Sequence, residues 1–94
     1  MLPEELCTGL GGKLREKTMF GVKTYVCEVD GKTITITHER LGRFGYYDLS
    51  IELPGEAELH IEAPTDVTVD CSGNKCIVGG ITIVKKDDRF FVIV

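Results

Sequence analysis

At 94 residues the chain fits one hydrophobic core, because chains below roughly 100 residues seldom support two independently cored units. A composition of 43% hydrophobic and 28% charged residues excludes a disordered tail, and no apolar run reaches the roughly 18 residues of a membrane-spanning helix. Fifteen acids against eleven bases give a net charge of −4, which opposes attraction to phosphate backbones and anionic lipid.

Residues 1–12 lack the basic start and apolar stretch of a secretory leader, so a cytoplasmic protein is the expectation. Val, Ile and Thr number 26 against 2 Ala, and such β-branched residues favour pleated surfaces over helices. There is no Gln and a single Asn, Asn74, a bias that fits a thermophilic source.

Leu2 to Gly9, with Pro3, Glu4 and Glu5 in its first turn and Gly9 at its end, predicts a short helical turn. Gly9-Leu10-Gly11-Gly12 then reads as a connection; no strand precedes it and no Lys-Ser/Thr pair follows, so it is not a phosphate loop. From Lys13 the pattern alternates. Leu14, Thr18 and Phe20 share one face and Lys13, Arg15, Lys17 and Met19 the other, as on an edge strand with a cationic outer face.

Val22 to Val29 and Lys32 to His38 flank Asp30-Gly31, a two-residue hairpin signal that pairs Tyr25 with Ile36, Cys27 with Ile34, Val26 with Thr35 and Thr24 with Thr37. Glu39 to Tyr47 reads as a glycine-containing connection. Asp48 to Leu53 and Ala57 to Ala63 form a second hairpin whose three-residue loop, Pro54-Gly55-Glu56, sets Leu53, Ile51 and Leu49 opposite Ala57, Leu59 and Ile61.

Asp66 to Cys71 and Cys76 to Val84 flank a four-residue loop, Ser72 to Lys75, and Gly79-Gly80 suggests a bulge or bend in the second strand. Ile81 to Val84 and Arg89 to Val94 close around Lys85 to Asp88, pairing Ile83 with Phe90 and Ile81 with Val92. Phe90 to Val94 is apolar on both faces. Such a strand is expected either at the centre of a sheet or covered by a second copy in a homodimer.

Residues 1–94 therefore predict a single all-β domain, with a short helix and Gly-rich connection at 1–12 and strands over 13–94. The expected architecture is a β-sandwich or partly open β-barrel of about eight short, mostly antiparallel, hairpin-connected strands.

Cys71 and Cys76 face each other across a hairpin, within disulfide reach, and Cys7 with Cys27 would form the remaining pair. Buried thiols are the equal alternative, and a zinc site with His38 or His60 fits the spacing poorly. The second hairpin gathers Asp48, Glu52, Glu58, His60 and Glu62 on one polar face, with Glu52 facing Glu58 and Asp48 facing Glu62. Opposed like charges need a cation, which Lys13, Arg15 and Lys17, a basic partner or a divalent ion would supply. Arg40, Arg43, Phe44, Tyr46 and Tyr47 combine bases and rings in the manner of a partner-binding loop, or cap one end of the fold.

Catalysis has little support, since Ser50 and Ser72 lack a nucleophile-elbow sequence and no cofactor motif is present. His38, at the end of an apolar face, reads as a structural histidine. The leading expectation is a non-catalytic protein-binding or assembly module that meets a protein partner through the Arg40 to Tyr47 loop or the acidic hairpin face. A homodimer through residues 90–94 is compatible with both. The alternatives are a metal-dependent or carboxylate-based enzyme on Glu52, Glu58, His60 and Glu62, and a weak single-stranded nucleic-acid binder using the loop aromatics.

Overall fold

The computed structural model describes residues 1–41 and 45–94. One helix, α1 (Leu2–Gly9), precedes nine strands among the described residues: β1 (Lys13–Met19), β2 (Val22–Val29), β3 (Lys32–Leu41), β4 (Tyr46–Glu52), β5 (Leu59–Ala63), β6 (Val69–Ser72), β7 (Lys75–Val78), β8 (Ile81–Lys86) and β9 (Arg89–Ile93). They form two antiparallel sheets, β1 to β5 and β6 to β9, each ordered as the chain runs. Neither closes into a barrel. The all-β architecture is thus a pair of open meanders around a shared core.

Two-residue turns set this topology. Both central residues have positive φ at Phe20–Gly21, Asp30–Gly31, Gly73–Asn74, Gly79–Gly80 and Asp87–Asp88, the requirement of the type I′ turn, whose twist matches the strands it joins. The Asp30–Gly31 hairpin has the expected register from Tyr25–Ile36 to Val29–Lys32, with Thr24 and Thr37 beyond that ladder.

Three other turns correct the expected boundaries. Ser72 pairs with Lys75, so the loop between β6 and β7 is Gly73–Asn74 alone. Gly79–Gly80 reverses the chain instead of bending one strand, which splits Cys76 to Val84 into β7 and β8 and raises the strand number to nine. Lys86 pairs with Arg89, so Ile83 opposes Val92 and Lys85 opposes Phe90, a slip of two residues from the expected pairing. Aspartate tolerates the left-handed region better than most residues, which lets Asp87–Asp88 make the tighter turn. A slip of two leaves every side chain on its expected face.

α1 fills the core beside both sheets, touching β1, β2 and β3 of one and β6 and β7 of the other. Leu2, Leu6 and Leu10 recur every fourth residue and are buried with Cys7 on one helix face. The Cys7–Cys27 disulfide fixes this face to β2, and Cys71–Cys76 crosses the β6–β7 hairpin. Two glycines permit the close approach: a Cβ on Gly9 would stand 2.8 Å from Cys76 Sγ, and one on Gly12 would stand 2.7 Å from Val29 Cγ2. The core proper is Tyr25, Cys27, Val29, Ile34, Ile36, Leu49 and Ile51 from the larger sheet against Cys76, Val78, Ile83 and Phe90 from the smaller.

Polar ties cross between the sheets as well. Lys85 on β8 forms an ion pair with Asp30 at the β2–β3 turn, and that carboxylate raises the lysine pKa. His38 Nε2 lies 2.9 Å from Asp66 Oδ1, which also accepts the Val67 N–H at 2.8 Å, so the expected structural histidine anchors the crossover from β5 to β6.

Phe20 departs from expectation: instead of joining the face of Leu14, it sits in the β1–β2 turn at φ 52° and is 99% exposed. A left-handed conformation costs an ordinary residue roughly 1–2 kcal/mol, and Asn-Gly is the preferred I′ pair. Phe20→Asn is therefore expected to stabilise the domain by about 1 kcal/mol, seen as a higher urea midpoint at unchanged slope.

Candidate functional site

Two open sheets have four edge strands, and an uncovered edge presents unpaired backbone N–H and C=O groups to any other chain. β1 and β6 are edges by sheet order, yet both adjoin α1. β1 is further protected by exposed Lys13, Arg15 and Lys17. β5 carries His60 and Glu62 on its outward face and is followed directly by Pro64. Charge and proline are the usual guards of an edge.

β9 has the least protection. Among the described residues its one neighbouring element is β8, and after Arg89 at its first position it carries neither charged side chain nor proline. This corrects the reading of Phe90 to Val94 as a central strand: the segment forms the outer edge of the smaller sheet.

The outward face beside that edge is apolar. One cross-strand row reads Asp70, Ile77, Thr82, Ile93, and the next reads Ser72, Lys75, Val84, Phe91. Ile77, Phe91 and Ile93 are 42%, 39% and 58% exposed, and they form a patch with Val84 between them. The Arg89 guanidinium sits 5.5 Å from the Phe91 ring centroid, within cation–π range. Phe90 and Val92 point inward, with Phe90 only 4% exposed, so β9 is apolar on both faces as its sequence indicates. Sequence reasoning missed Val84 opposite Phe91 and Ile77 in the row of Ile93. The first alignment depends on the two-residue turn at Asp87–Asp88 and the second also on the reversal at Gly79–Gly80, where the diglycine was the available signal.

The second hairpin keeps the register derived from its three-residue loop from Ile51–Leu59 to Tyr47–Ala63. Asp48 faces Glu62, and Ser50 faces His60. Glu52 and Glu58 do not become a ladder pair, because β5 begins only at Leu59. The cationic strip does not neutralise this face: β1 and β5 are opposite edges of the sheet, and Arg15 pairs with Glu28 of β2 at 2.7 Å.

His60 is the partner that the acids receive. Its Nε2 contacts Asp48 Oδ1 and lies 3.7 Å from Glu62 Oε1. The hydrogen bond that the imidazole donates to Asp48, then the charge of that carboxylate, raise the imidazole pKa above the ordinary 6.5, with Glu62 and Glu58 adding to the effect. Donor atoms of Asp48, His60 and Glu62 fall within 4.8 Å of one another, the one such grouping among the described residues close enough to share a metal ion. They stand on an open sheet surface, with the imidazole nitrogen already engaged by Asp48.

The segment expected as a binding loop is mostly strand. β3 continues to Leu41 and β4 begins at Tyr46, so Arg40 pairs with Tyr47 and Leu41 with Tyr46. Arg43 and Phe44 lie outside the described residues. Tyr47 takes the capping role, its ring stacked 6.5 Å from His38 and 5.6 Å from the Arg40 guanidinium, while Tyr46 is exposed on the opposite face. The hairpin alternation continues through these aromatics, which are good strand formers, and this displaces the loop toward Gly45.

The raised His60 pKa gives a sign to test. An imidazole whose folded pKa exceeds its unfolded value stabilises below about 6.5 and loses that contribution as pH rises through the folded pKa. NMR titration should place His60 above 6.5 and show it falling in Asp48→Asn. The stability gap between wild type and that variant should be wider at low pH than at high pH.

No protein-family model, curated protein or solved structure matches this chain.

Proposed function

We propose that this chain is a non-catalytic assembly module that works by strand addition, with β9 as the docking edge. The supporting observation is the asymmetry of the four edges: α1 or two or more ionisable side chains accompany β1, β5 and β6, while β9 carries one, Arg89 at its first position, and presents Phe91 and Ile93 outward with Ile77 on the same face two strands away. An exposed apolar edge is an aggregation hazard for a solitary protein and a recognition element for one with a partner. Main-chain hydrogen bonds supply affinity in this mode, and the alternating side chains supply selectivity.

The rigid frame favours such a role. A strand donor that moved with each encounter would lose affinity to ordering entropy, whereas here disulfides fix both the helix that fills the core and the hairpin opposite β9 in the same sheet. Two disulfides in a domain of this size support an oxidising setting or a hyperthermophilic cell interior over an ordinary reducing cytoplasm. The hairpin-tip residues Arg40, Tyr46 and Tyr47 and the acidic face of Asp48, His60 and Glu62 remain secondary contact surfaces in this reading.

A synthetic peptide spanning Arg89 to Val94 is the direct probe. Titrated into isotope-labelled protein, it should shift the Arg89–Ile93 amides first and newly protect those of Phe90 and Val92, whose N–H groups point away from β8, from hydrogen exchange. Ile93→Lys places a guard charge on the edge and should abolish binding, while changing stability by no more than about 0.5 kcal/mol because the side chain is exposed. Shifts centred on another edge, or binding unaffected by Ile93→Lys, contradict the assignment.

A further inference from the structure

We infer that the strand added to β9 is β9 of a second copy, antiparallel, with the two-fold axis at Phe91. This rests on the strand-addition reading and names its partner. Three features of β9 lead to it, and none requires a partner of different sequence.

Face parity comes first. Phe90 and Val92 point to the core, while Arg89, Phe91 and Ile93 point outward. Two copies whose cores lie on the same side of a joined sheet can pair only inward residue with inward residue, because a one-residue slip exchanges the faces. Registers centred between two residues are therefore excluded, and the axis must pass through a residue.

Among the remaining registers, the one centred on Phe91 alone pairs all five residues of Arg89–Ile93: Arg89 with Ile93, Phe90 with Val92 and Phe91 with itself. Centring on Phe90 would set Asp88 against Val92 on the core side, a carboxylate beside buried apolar groups. Centring on Val92 leaves Arg89 and Phe90 without partners inside the strand.

The side chains then fit one another. Phe90 of each copy packs beside Val92 of the other and extends both cores. On the outer face the two Phe91 rings meet at the axis, where opposed Cα atoms are about 4.5–5.5 Å apart, and each ring already carries its own Arg89 guanidinium at 5.5 Å. The product is an eight-stranded antiparallel sheet, within the common size range. The apolar patch of Ile77, Val84, Phe91 and Ile93 becomes continuous across the two copies. Such an isologous contact uses the same patch twice and closes on itself, so it removes the open edge without propagating a fibre.

Cysteine pairing tests the register on the full oxidised chain. Phe91→Cys should link to its own copy under mild oxidation, with the new bond mapped to residue 91 and both native disulfides intact. An equimolar mixture of Arg89→Cys and Ile93→Cys should cross-link to each other, and each should link to itself about 10-fold more slowly. Ile77→Cys, two strands away on the same face, should remain unlinked. Sedimentation of the wild type should show a dimer, and of Ile93→Lys a monomer. Linking of Ile77→Cys as fast as Phe91→Cys would mean face-to-face packing and overturn the inference. A wild type that stays monomeric while the Arg89–Val94 peptide still binds at β9 overturns the second-copy partner and leaves strand addition standing. Loss of both dimer and peptide binding overturns the two together.

Discussion

The structure depends on how α1 is held. An eight-residue helix is too short to be stable alone, yet Leu6, Cys7 and Leu10 are fully buried, and both sheets have residues against it. The Cys7–Cys27 disulfide makes its position permanent, closing a loop for which the chain-entropy model gives about 3 kcal/mol. Gly9 and Gly12 then let the backbone lie against Cys71–Cys76 and against Cys27 and Val29, at separations that a Cβ would not allow. The helix carbonyls of Glu5 and Leu6 sit 3.7 and 3.9 Å from Cys71 Sγ and Cys76 Sγ, contacts rather than hydrogen bonds because an oxidised sulfur carries no proton.

From that placement the asymmetry of the edges follows. The helix adjoins β1 and β6 where they end their sheets, which leaves β5 and β9 as the two edges that, among the described residues, adjoin no element beyond the strand each pairs with. β5 is defended by charged and polar side chains, with His60 set against Asp48 and Glu62. β9 combines the least protection with the most exposed apolar surface. In a small domain every large apolar group is valuable inside, so the exposure of Phe91 and Ile93 is the feature on which the proposed association rests.

Local signals made much of this legible. The Asp30-Gly31 turn and the alternation of β2 and β3 fixed one register, and the parity of Leu49, Ile51, Leu59 and Ile61 fixed another. Strand opposition and elimination named both cysteine pairs but left buried thiols as an equal alternative, and the structure has both disulfides. What stayed hidden was whether a polar doublet closes a two-residue or a four-residue turn. Asp87-Asp88 and Gly73-Asn74 satisfy either pattern, and the choice rests on positive φ at both positions, a backbone property without a unique sequence mark. Strand order was hidden for a related reason: an apolar strand such as Phe90 to Val94 has the same composition at the centre of a sheet as at an edge meant for a partner. The candidate site lies at that ambiguity.

Native-state hydrogen exchange on Cys7→Ala/Cys27→Ala tests the role of the bolted helix most directly. In the oxidised wild type, amides of Cys27 and Ile34 in one sheet and of Cys76 and Ile83 in the other should exchange through one common opening, because α1 couples the sheets. The variant should split them into two groups, with the smaller sheet opening first and α1 exchanging freely. If all four amides kept a single common opening free energy in the variant, close to that of the wild type, the helix would not be the element that holds the two sheets as one unit.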